Sequence, residues 1–135
     1  IRLGYGISSD KALLERMETV RQPWSVSTPA QAAGLSALKE DHREEQTRQL
    51  VKSERERMEK ELENLRIEYI PSEANFLLFN SEINWFEELK KRGILIRDCA
   101  NYRGLGNGWY RLAVRLPEEN DRLLECMKQV LNERS

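Results

Sequence analysis

An α+β fold follows from two patterns in the sequence. Short apolar runs carry the two-residue period of strands, and longer runs carry helical spacing, one of them the densely charged stretch 39–65. Most of the strand signals are separated by turns or single helices. The fold predicted is a short, mostly antiparallel sheet with helices on one face and one long charged helix.

Taken in order, residues 1–9 (IRLGYGISS) alternate Ile1, Leu3, Tyr5 and Ile7 with Arg2, Gly4, Gly6 and Ser8, which predicts a strand whose glycines admit close approach of another backbone or a ligand. Ser9 or Asp10 caps a helix carrying Leu13, Leu14, Met17 and Val20, which Pro23 ends. Pro29 opens a second helix, PAQAAGLSAL, whose Ala30, Ala33, Gly34 and Ala37 permit close packing. Residues 39–65 form a long, solvated helix with a thin apolar stripe of Leu50, Val51, Met58, Leu62 and Leu65; strict heptads are not sustained, which argues against a coiled coil. IEYIPSEANFLLF holds two short strand signals broken by Pro71, and INWFEELKKRG is an amphipathic helix closed by Gly93. ILIRDC and WYRLAVR read as strands joined by ANYRGLGNG, and Pro117 opens a last helix with Leu123, Leu124, Met127, Val130 and Leu131 on one face.

At 135 residues the chain has the size of one domain or a piece of a larger one. Its 22 basic and 23 acidic residues leave a net charge of −1, so no global field draws it to nucleic acid or an acidic membrane. Anion recognition has to be local. Cys99 and Cys126 make neither a disulfide framework nor a CxxC metal site, and the single His42 is read as solvated; a reduced, cytoplasmic setting is expected. No apolar run approaches membrane-spanning length.

The chemistry concentrates in residues 96–115, IRDCANYRGLGNGWYRLAVR. Arg97 and Arg111 each end a strand pattern, and a guanidinium presents a fork of donors matched to carboxylate or phosphate oxygens. Two forks side by side would form an anion site; a salt bridge or a sheet-edge role is the plainer alternative, and it suits Arg103 and Arg115 better. RGLGNG is read as a flexible turn, because a phosphate-cradling glycine loop needs a helix after it and here a strand follows. Asn75 stands at the mouth of an apolar run, where it contacts a ligand or ends a turn. Trp24 and Trp85 are expected to pack, and Trp109 and Tyr110 either to pack or to line a pocket. No Ser, Cys or Lys has the neighbours an activated nucleophile requires.

IRLGYGI, PWSVSTPAQAAGLSAL, IPSEANFLLF and ILIRDCANYRGLGNGWYRLAVRLPEENDRLL together resemble, in order and along nearly the whole chain, the C-terminal third of pyridoxal-phosphate enzymes of the aminotransferase fold. IRxCANYxGL followed by YRxAxR is similar to L-threonine-O-3-phosphate decarboxylases of cobalamin synthesis, with histidinol-phosphate aminotransferases next; the latter typically show glycine where Arg115 stands. The resemblance implies that residues 1–38 are a remnant and linker of a large cofactor-binding domain and 39–135 a small C-terminal domain. It implies that Arg2 holds the phosphate of pyridoxal phosphate, that Arg97 and Arg111, with Asn75, bind a phosphorylated amino-acid substrate, and that the parent is a homodimer. It places the Schiff-base lysine just upstream of Ile1, so that this chain alone is expected to contain no catalytic residue and to be inactive. A non-enzymatic helical interaction domain is the alternative of another class.

Overall fold

A computed structural model describes every residue except Ile1, Arg2, Asp41 and Ser135. The chain divides into two compact units, Ile1–Glu44 and Glu45–Ser135.

The first unit holds α1 (Lys11–Val20) and α2 (Thr28–Ala37). Each helix begins where a side-chain oxygen satisfies a free amide of the first turn: Asp10 accepts from the Leu13 N–H at 3.0 Å, and Ser27 from Ala30 at 3.4 Å, with Pro29 in the first turn of α2. The Leu3 side chain occupies the space that a Cβ on Gly34 would need, which is the close packing expected of that helix. The predicted N-terminal strand does not form among the described residues. Leu3–Ser9 carry no strand, and nothing lies within 4 Å of where a Cβ on Gly4 or Gly6 would stand. Period-two alternation becomes a strand only where a ladder partner is present. Trp24, expected to pack, is 97% exposed, with φ at 58°.

The second unit contains most of α3 (Arg43–Asn64), then β1 (Tyr69–Ile70), β2 (Phe76–Asn80), α4 (Trp85–Lys90), β3 (Arg97–Asp98), β4 (Trp109–Ala113) and α5 (Pro117–Asn132). On α3 the buried positions Glu54, Met58 and Leu62 recur every four residues, so this charged helix is held by one narrow face. It stops without a glycine: Arg66 takes the left-handed conformation (φ 57°), and the Ile67 N–H reaches back to the Leu62 carbonyl at 2.9 Å. Gly93 (φ 75°) closes the end of α4, where Ile94 N–H donates to the Leu89 carbonyl at 3.0 Å.

The sheet runs β1-β2-β4-β3, every pair antiparallel. Leu77 opposes Leu112 and Phe79 opposes Tyr110, and this face joins Met58 and Leu62 of α3, Trp85 and Leu89 of α4, and Leu123, Leu124, Met127 and Val130 of α5 in one buried cluster. Phe79 sits at its centre, edge-on to Trp85 (6.4 Å) and tilted against Tyr110 (5.5 Å). Burying one such side chain contributes about 1.5–3 kcal/mol. Because successive strand residues alternate faces, burying Tyr110 and Leu112 sends Arg111 to the opposite side, with Phe76, Leu78 and Ala113.

Candidate functional site

On that other side, β3 and β4 place Arg97 directly opposite Arg111. Residues so paired have Cβ atoms about 5 Å apart on one face, and like charges in that position oppose strand pairing. Neither guanidinium has a carboxylate within 4.0 Å among the described residues. Many other basic side chains of this unit do: Arg57 pairs with Glu54 and Asp121, Arg92 with Glu88 and Glu133, and Arg115 with Glu119.

What holds the two arginines is uncharged. The Arg97 guanidinium donates to Asn101 Oδ1 at 3.0 Å and lies 5.3 Å from the centre of the Tyr102 ring; the Arg111 guanidinium lies 5.1 Å from the centre of the Phe76 ring. Both therefore keep most of their N–H donors for something else.

The strand before Arg97 departs from expectation in a useful way. ILIRDC was predicted as strand over its length, yet only Arg97–Asp98 join the ladder. Residues 93–96 stay outside it, and a cleft of about 380 Å³ lies along them and the end of β4. Arg97, Arg111, Arg115 and Arg122 line it against one carboxylate, Glu119, so a chain of net charge −1 carries one strongly positive recess. Arg122 joins it from α5, a helix the sequence presents only as an amphipathic packing element.

The joining loop is pinned at both ends. Cys99 N–H donates to the Trp109 carbonyl at 2.9 Å, and Ser81 N–H to the Gly108 carbonyl at 2.9 Å. Gly108 has φ 87°, and a Cβ there would meet the Ser81 carbonyl oxygen at 2.7 Å, so the glycine is needed for both conformation and space. RGLGNG is thus a strand connection, as the missing downstream helix implied. Beneath the arginines the Cys99 thiol is buried; burial pushes its pKa up, while Arg111 and Arg97 pull the other way.

Asn75 is exposed and absent from the cleft lining; its carbonyl accepts from the Val114 N–H at 2.9 Å. Arg2 lies outside the described residues. Trp85 is fully buried and Tyr110 nearly so, while Trp109 lines a smaller recess of about 230 Å³ with Tyr69 and Asn80. His42 and Arg103 are exposed. Among the described residues no group of His, Cys, Asp and Glu could hold a metal ion, and no helix is long and apolar enough to cross a membrane.

Residues 1–126 match the family model described as aminotransferase class I and II. The chain belongs to that family. Among curated relatives, histidinol-phosphate aminotransferase 1 of Archaeoglobus fulgidus is 41% identical over 97% of the chain and 40% of the relative. Threonine-phosphate decarboxylase of Salmonella typhimurium is 38% identical over 97% of the chain and 37% of the relative. The crystal structure of histidinol-phosphate aminotransferase from Clostridium acetobutylicum superposes with a TM-score of 0.84 at 27% identity, covering 92% of this chain and 39% of that one. The chain thus spans about two fifths of the length of these relatives.

The family depends on pyridoxal phosphate. The arginine cleft does not build a cradle for that cofactor, since no lysine lines it. What the described residues present is a cleft lined by four arginines and one glutamate.

Proposed function

We propose that this chain contributes the substrate-anion side of a pyridoxal-phosphate-dependent active site, and that the whole protein decarboxylates L-threonine O-3-phosphate. The observation that carries the reading is the opposed, carboxylate-free pair Arg97 and Arg111. Two guanidinium groups on neighbouring strands can share the oxygens of one tetrahedral phosphate, each through more than one N–H, and the aromatic rings beside them limit the orientations they sample. Fixing the phosphate end of a small amino acid restricts how its Cα substituents are presented, and restricting that geometry lowers the barrier of a later step. Asn75, whose side chain makes no hydrogen bond among the described residues, is assigned to the same substrate. Arg2 is assigned to the cofactor phosphate. The parent protein is read as a homodimer working in the cytoplasm.

A second reading, amino transfer from histidinol phosphate, is favoured by the 41% identity to an enzyme of that name. Both substrates carry a phosphate; only threonine phosphate also carries a carboxylate. The test uses the full-length parent protein with pyridoxal phosphate. Carbon dioxide release from L-threonine O-3-phosphate supports the decarboxylase, and keto-acid-dependent amino transfer from histidinol phosphate without such release overturns it. If Arg97→Ala and Arg111→Ala both leave substrate KM unchanged, the anion site itself is wrong.

A further inference from the structure

We infer that Asn101 and Tyr102 are positioning residues for Arg97, the loop that follows β3 reaching back to hold the guanidinium in one orientation for an incoming phosphate. This rests on the reading of Arg97 as a phosphate anchor.

Arg97 lies exposed on an edge strand. A free arginine there samples many rotamers, and ordering it costs about 2 kcal/mol of side-chain entropy. Usually a carboxylate does the ordering. At Arg97 the ordering groups are neutral: Asn101 Oδ1 accepts one N–H at 3.0 Å, and the Tyr102 ring lies under the guanidinium at 5.3 Å. Neither neutralises the charge, so the positive group is held in place and left available. Pre-ordering a binding group lowers the entropy that its ligand would otherwise have to offset.

The loop is built to keep these two residues in place. Asp98 Oδ1 accepts from Ala100 N–H at 2.8 Å, Tyr102 N–H donates to the Cys99 carbonyl at 2.9 Å, and Leu105 N–H to the Tyr102 carbonyl at 3.1 Å. Residues 98–105 thereby form consecutive tight turns anchored at Cys99 to β4. Asn101, four residues after Arg97, reaches its guanidinium because those turns fold the chain back on itself. Arg103, which follows directly, is exposed, and the groups at the Arg97 guanidinium are Asn101 and Tyr102.

The test is a phosphate-monoester titration of the 135-residue chain with O-phospho-L-threonine, followed by NMR at matched ionic strength. Asn101→Ala is expected to weaken binding roughly fivefold, the loss of one net hydrogen bond. Tyr102→Leu is expected to weaken it roughly threefold, whereas Tyr102→Phe, which keeps the ring, stays within about twofold of the parent. Asn101→Asp separates positioning from plain structure. An aspartate would grip Arg97 harder, leaving melting temperature unchanged or raised, yet would cancel the charge and weaken phosphate binding by more than about tenfold. Parent-like affinity in both Asn101→Asp and Tyr102→Leu overturns the inference. Arg97→Ala serves as the control: if it too binds like the parent, the phosphate-anchor reading has failed; if it alone loses binding, only the positioning role has.

Discussion

Arg97 faces Arg111 across the β3–β4 ladder, and each guanidinium rests beside an aromatic ring instead of a carboxylate. Directly opposed like charges cost a ladder roughly 0.2–1 kcal/mol. An anion bound between the two guanidinium groups would relieve that cost. Added phosphate is therefore expected to raise the melting temperature of the chain above that in chloride at equal ionic strength, by about 2.7 kcal/mol of stability once phosphate reaches a hundred times its Kd. Arg111→Leu should lose this response without losing stability in chloride. A variant that still responds to phosphate as the parent does would move the anion site away from this pair.

Gly108 sits where β4 begins and touches the end of β2. Gly108→Ala forces an L-residue to φ 87° and brings its Cβ to 2.7 Å from the Ser81 carbonyl oxygen. The expected cost is about 2 kcal/mol or more, from left-handed strain and from stretching the Ser81–Gly108 hydrogen bond. Urea unfolding should show a lower midpoint at an unchanged slope. An unchanged midpoint would mean that the loop shifts freely and does not fix the β4 register.

The elements of the second unit were legible because their signals are local. Pro117 and Gly93 mark the start and end of helices, Leu77 and Phe79 alternate with outward residues, and Met58 and Leu62 trace the buried stripe of α3. The pairing of Arg97 with Arg111 was legible only as possibility, since register is set by contacts across 14 positions of sequence that no local pattern records. The unformed strand at 3–9 shows the converse: alternation reports a preference, and a strand also needs an edge to join. Asn120 gave no signal at all. A polar residue at that point in a helix start normally faces water, and its burial depends on Glu54, 66 residues earlier.

Asn120 is 1% exposed and uses its whole amide. Its Oδ1 accepts from the Arg115 N–H at 3.0 Å, and its Nδ2 donates to the Arg115 carbonyl at 2.9 Å and to Glu54 Oε2 at 2.7 Å, tying the end of β4 to α3 and α5. Asn120→Ala strands a buried amide, a carbonyl and one carboxylate contact, for an expected loss of about 3 kcal/mol. Asn120→Asp keeps the acceptor for Arg115 but sets a second carboxylate against Glu54. It should be at least as damaging as alanine at pH 7 and recover in part near pH 5, where the two acids share a proton. Guanidinium chloride melts at the two pH values check this; an aspartate variant insensitive to pH would show that Glu54 and residue 120 do not interact.

Glu54 makes the second unit acid-sensitive in a defined way. Hydrogen bonds from the Arg57 guanidinium to its two oxygens, 2.6 and 3.1 Å long, hold its carboxyl below the usual range; burial opposes this, and the Asn120 amide adds to it. In the unfolded chain the same carboxyl titrates near its ordinary value of about 4.3. Between that value and the lower folded one, the unfolded state binds more protons, so stability falls as pH falls. The contribution is complete above about pH 4.3 and gone once pH has dropped through the folded pKa. Glu61, lowered by Lys128, adds a similar dependence, so the measurable quantity is a difference in slope. Glu54→Gln can still accept from Asn120 and from Arg57, which keeps Asp121 at 2.6 Å, but it carries no charge to lose. It is expected to be about 3 kcal/mol less stable at pH 7 and to lose less on acidification, so that the two curves of urea midpoint against pH converge below pH 4. Curves that stay parallel down to pH 2 would place the acid sensitivity elsewhere than at Glu54.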